Sequence, residues 1–151
     1  MIENERSLIE DELSRHGVYA STTRGVSMRP LFKTGRDMVI IVKPEAELRK
    51  YDVVLYRDGK GKYILHRIIA VKDTRLIIRG DNTYVREVVD KSRIIGVLTE
   101  FNRKGKHHSV NEASYKLYSR IWNFLYIPRA ACYFTLRTAK RALRKIFKRK
   151  R

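Results

Sequence analysis

Cysteine is nearly absent: Cys132 is the single one in 151 residues. A lone thiol excludes an internal disulfide framework and a cysteine-rich zinc site, and it fits a reducing compartment. Long apolar runs are missing as well. The longest, IWNFLYIPRAACYFTL at residues 121–136, is shorter than the roughly 20 residues a bilayer span requires and is broken by Pro128 and Arg129. The first residues, MIENERSLIEDELSRHG, are charged and acidic where an export signal is basic and then continuously apolar. Neither a leader nor a membrane-spanning anchor is expected, and the expected location is the cytoplasm. Negative charge is scarce in one place above all: residues 113–151 contain twelve Lys or Arg and no Asp or Glu. Two thirds of the formal net charge of +18 therefore sits in the last quarter of the chain, so the basic excess belongs to an appended segment rather than to the body.

What is present suffices for one domain with a core, since 43% of the residues are hydrophobic. Over residues 5–15, Leu8, Ile9 and Leu13 fall at helical spacing and Gly17 supplies a stop. From Val18 the chain turns to β-branched and small residues. Strands are expected there and at 38–42, 52–56, 62–71, 75–79 and 94–101, with turns at 58–61 and 72–74. The expected fold is thus mainly β: an antiparallel β body over about 18–110, a short N-terminal helix at about 5–16, and a helical tail. The corresponding division is residues 1–112 and 113–151. In the tail, Cys132, Leu136, Ala139, Leu143, Ile146 and Phe147 recur at three- and four-residue steps, with Arg137, Arg141, Arg144 and Lys148 opposite them. Pro128 is expected to separate this basic amphipathic helix from an aromatic one carrying Tyr115, Tyr118, Ile121, Trp122 and Leu125.

The segment GVSMRPLFKTGRD, residues 25–37, carries chemistry together with LHRII at residues 65–69. A serine hydroxyl needs a base within hydrogen-bond reach and donors for the oxyanion it generates. Ser27 sits between a permissive Gly25 and a turn-fixing Pro30. His66 lies on an apolar strand with Ile64 and Ile68 on its own face, a dry setting that favours the neutral imidazole a general base requires. Alone, each is an ordinary residue: a turn serine after glycine, and a core histidine.

Their order gives them weight. GVSMRPLFKTGRD resembles the nucleophile segment of signal peptidase I and its relatives, in which Ser-Met-x-Pro is followed by an apolar pair and a turn into a strand. KYDVVLYR at 50–57 resembles the next block, LHRII the base block, RGDN at 79–82 the Gly-Asp-Asn block, and RIIGVL at 93–98 the closing strand. The superfamily includes the LexA-like self-cleaving repressors, and the proline of SMRP resembles the signal-peptidase side. With histidine at the base position, the chain resembles the histidine-base branch rather than the lysine-base one. The resemblance implies a serine endopeptidase with Ser27 as nucleophile and His66 as base, acting on a peptide or protein bound as an added strand with small residues near the cleaved bond. It also implies an acidic residue that orients the imidazole. Ungapped alignment of RGDNTYVRE puts Glu87 at that position, with Asp81 as competitor and Asp90 as a weaker third.

Two departures bear on function. Many relatives carry a serine two positions before the nucleophile, where this chain has Gly25, which leaves the oxyanion to backbone N–H groups. The family's membrane anchor is replaced by a charged helix. The tail is a candidate substitute anchor: a helix with one apolar and one Lys/Arg face can lie on an anionic membrane surface, and the expected place is the inner face of the membrane. Rival readings are a helix packed on the body and phosphate contact with nucleic acid, the latter without any known DNA-reading motif. At the level of the whole protein, the rivals to an enzyme are a catalytically silent peptide-binding or accessory module and a binder driven by the basic tail. No cofactor and no metal are expected, since His107 and His108 would face opposite ways on a strand and lack a third ligand.

Overall fold

The computed structural model describes residues 2–149, and its side chains apart from those at 2–8, 142, 143 and 145–149. The expected contacts of Leu8, Leu143, Ile146, Phe147 and Lys148 lie outside the described residues. The order is α1 (Ile2–His16), β1 (Val18–Thr22), β2 (Met38–Val42), β3 (Val53–Arg57), β4 (Tyr63–Lys72), β5 (Arg75–Arg79) and β6 (Glu87–Asp90). A 3-10 turn (Lys91–Arg93), β7 (Ile94–Arg103), β8 (Lys106–Ser109), α2 (Ala113–Phe124) and α3 (Tyr126–Arg149) follow. All pairings are antiparallel in the order β1-β2-β7-β3-β4-β5-β6, with β8 added to β7. The short strand β6 was not anticipated, and β8 carries His107 and His108, the adjacent pair expected on a strand.

Alternation along β3 explains why there are two cores. Val53 and Leu55 point into a cluster with Met28, Leu31, Phe32, Ile41, Leu98 and Phe101, whereas Val54 and Tyr56 point into one with Ile68, Leu76, Ile78 and Val89. Because both faces of β3 are covered, four consecutive residues are buried there. α1 packs on the first core through Ile9, while its Leu13 is 2% exposed and accepts the Gly17 amide at its carbonyl at 3.1 Å, where φ of +70° suits glycine.

β4 carries one functional residue to each face. His66 pairs with Val54 across the sheet and shares the face of Tyr56, while Arg67, the next residue, points to the opposite side. There α2 lies on the sheet, with Tyr115 and Ser119 buried against it. The boundary expected at residue 112 therefore does not detach the tail, since α2 and the first turns of α3 are part of the packed body. The helix break falls at Leu125, and Pro128 sits in the first turn of α3, where its missing N–H costs nothing.

Candidate active site

The loop between β1 and β2 owes its shape to Asp37. This fully buried carboxylate accepts from the Arg36 guanidinium at 2.7 Å and from the amides of Lys33 at 2.7 Å and Lys104 at 3.2 Å. Arg36, then those amides, outweigh the effect of burial and hold Asp37 down to about 2. At the other end of the loop Gly25 adopts φ of +83°, a conformation costly for any residue with a Cβ, and turns the chain toward Ser27. The next apolar residues, Met28, Leu31 and Phe32, plunge into the first core and fix the turn that begins at Ser27. The Arg29–Pro30 peptide within it is cis.

The block RGDN meets this turn from the end of β5. The Asn82 amide donates to the Ser27 carbonyl at 2.7 Å, and the Asn82 side chain to the Val26 carbonyl at 3.3 Å. Gly80 lies between the nucleophile turn and β4. A Cβ built on Gly80 would stand 2.7 Å from the Ser27 carbonyl oxygen, 3.0 Å from Ser27 Cβ and 2.9 Å from His66 Nε2. Ser27 and the His66 Nε2 edge thus converge on one small volume that only a residue without a side chain leaves open. Among the described residues Ser27 Oγ makes no hydrogen bond, so the two groups are neighbours of Gly80 that are not bonded to each other.

The other edge of the imidazole is tied back. His66, 5% exposed, has Nδ1 3.3 Å from a Glu87 carboxylate oxygen and 3.4 Å from the Tyr56 hydroxyl. The Tyr56 hydroxyl donates to the second Glu87 oxygen at 2.8 Å. Burial first, then the hydrogen-bonded Glu87, raises the Tyr56 pKa, so Tyr56 stays a proton donor. Burial also pushes His66 below its ordinary value, although Glu87 and then Asp81 oppose the shift. The net shift favours the neutral ring. A carboxylate on Nδ1 favours the tautomer that keeps its proton there and turns the Nε2 lone pair toward Ser27.

Glu87, at the first position of β6, is the acid that reaches the imidazole. Asp81 points elsewhere, accepting from Arg67 Nε and Nη2 at 2.8 Å each and from the Tyr118 hydroxyl at 3.1 Å. Arg67 is 0% exposed and also donates to the Tyr51 carbonyl at 3.0 Å, Tyr115 at 3.2 Å and Ser119 at 2.8 Å. Burial works against its charge, yet Asp81 more than offsets this and raises its pKa. Asp90 caps the 3-10 turn, accepting the Ser92 amide at 3.0 Å. The two acids that competed with Glu87 thus have structural partners of their own.

Tyr56 and Gly80 were not singled out from the sequence. A signal for Tyr56 existed: in a hairpin closed by residues 58–61, it lies diagonally from His66 on the same face. Gly80 stood inside the Gly-Asp-Asn block, but what its absent side chain makes room for is a matter of tertiary contact. No family model matches the chain, and no curated protein matches it.

Proposed function

We propose that the protein is a serine endopeptidase of the histidine-base, signal-peptidase-like type, built on a LexA-like antiparallel β body. The observation that carries this reading is the convergence of Ser27 and His66 Nε2 on Gly80, with Glu87 behind the imidazole. Ser27 Oγ attacks the peptide carbonyl while His66 Nε2 takes its proton. The imidazolium then protonates the leaving amine, and the acyl group on Ser27 is released by a water that the same nitrogen deprotonates. Glu87 and Tyr56 are positioning residues that act through the ring. The Ser27 amide donates to no group among the described residues and is the donor this reading assigns to the oxyanion.

The test is cleavage of a peptide library by the purified protein. Products that appear with the wild type and vanish with Ser27→Ala support the reading, and equal products from both proteins overturn it.

The pH profile probes the positioning residues. Because burial lowers the His66 pKa, the acid limb of kcat/KM is expected below the ordinary histidine value of about 6.5. The Glu87 carboxylate raises that pKa, so Glu87→Gln is expected to move the limb further down. It should also cost about tenfold to a hundredfold in rate, less than loss of the base itself. A limb that stays in place or moves up would show that Glu87 does not act on His66.

A further inference from the structure

The outer side of the C-terminal helices bears large, exposed apolar side chains. On α2, Leu117 is 59%, Ile121 48% and Phe124 83% exposed, and Ile127 just beyond the helix break is 74% exposed. The first three recur at steps of four and three residues, forming a stripe opposite the buried Tyr115 and Ser119. Exposed Lys116 and Arg120 flank that stripe. Beyond it α3 leaves the body. Its early aromatics stack on Tyr84, Tyr133 with ring centroids 4.4 Å apart, but residues 131–141 are all exposed, including Leu136 and the basic Arg137, Lys140 and Arg141.

We propose that the outer stripe of α2, continued by α3, is a docking surface for an anionic lipid bilayer. Apolar side chains of this size at a helix surface gain by entering the acyl boundary, and flanking bases gain at anionic headgroups. The segment has no acidic residue to repel such a surface. A nucleic acid would use the bases but leave Phe124, Ile127 and Leu117 in water, whereas a bilayer uses both. No helix among the described residues is long and apolar enough to cross a membrane, so the contact is interfacial. The consequence for the site is positional. Tyr84, held by α3, belongs to the loop between Asn82, which braces Ser27, and Glu87, which holds His66, so docking would fix the height of the site above the lipid.

The proposal goes beyond the peptidase reading and is tested without it. Full-length protein is sedimented with phosphatidylcholine vesicles with and without phosphatidylglycerol, at low and high salt. Binding is expected to need the anionic lipid, to weaken with salt, and to fall about tenfold for each of Ile121→Glu and Phe124→Glu. Both residues are exposed, so the thermal melts should match wild type. Ser27→Ala should bind like wild type, which separates docking from catalysis. Equal binding to both vesicle types would overturn the proposal, as would binding insensitive to the two glutamates. It would be overturned equally by a dimer in light scattering that these substitutions dissolve, or by retention on an oligonucleotide with none on vesicles.

Discussion

Gly80→Ala is expected to disable the proposed hydrolysis nearly as thoroughly as His66→Ala, while leaving the fold intact. The added methyl would sit 2.7 Å from the Ser27 carbonyl oxygen, a backbone atom that the Asn82 amide already holds, and 2.9 Å from His66 Nε2. Neither neighbour is the free end of a flexible side chain, so the turn and the ring must move apart. Displacements on the order of 1 Å between reacting groups cost about a hundredfold, and removal of the base costs about 10²–10⁴-fold. Peptide cleavage measured beside a thermal melt checks this. Wild-type turnover would mean that the space around Gly80 is not where the reaction takes place.

Asp81→Ala is expected to destabilise the protein by about 3–5 kcal/mol, because Arg67 would be left charged and without its carboxylate in a fully buried position. That is a large share of the roughly 5–15 kcal/mol by which domains are stable. Tyr118, whose pKa is raised by burial and by Asp81, loses its acceptor in the same step. The double change Arg67→Met with Asp81→Leu removes both charges and is expected to recover much of the loss. Urea denaturation of the single and double variants decides the matter. A loss below about 1 kcal/mol for Asp81→Ala would place the pair among exposed ion pairs of little worth. The two acids should thus separate experimentally: Asp81 reads out in stability, Glu87 in the pH profile.

The long strands were legible because apolar alternation and turn residues mark them. β5 runs over the residues anticipated, and β3 and β4 differ only by one position at each end. β6, Glu87–Asp90, carries too little apolar pattern to announce itself, and β8, Lys106–Ser109, shows only as the strand-like pair His107 and His108; each exists because a neighbouring strand offers its edge. The order of blocks around them brings Ser27 and His66 forward as candidates. The separation of Glu87 from Asp81 was not legible, since it depends on which face of the sheet each acid meets. Arg67 is the clearest example: in the sequence it merely follows the histidine, and in the fold it gathers partners from residues 51, 81, 115 and 119. The aromatic helix was visible, but its docking on a buried arginine could not be inferred from helical spacing.

The Asp81 carbonyl accepts from the Trp122 indole at 2.8 Å and from Arg129 at 2.7 Å, while Arg129 covers the Trp122 ring at 3.6 Å. Every strand is made before these two residues leave the ribosome. During vectorial synthesis the strands can pair, yet the loop that braces Ser27 gains its last supports only with the C-terminal helices. The last supports of the candidate site are therefore synthesised last, so a nascent chain would hold its strands but an unfinished site. Loss of residues beyond 112 by nicking would act at a distance, loosening the Gly80–Asn82 turn without touching Ser27 or His66.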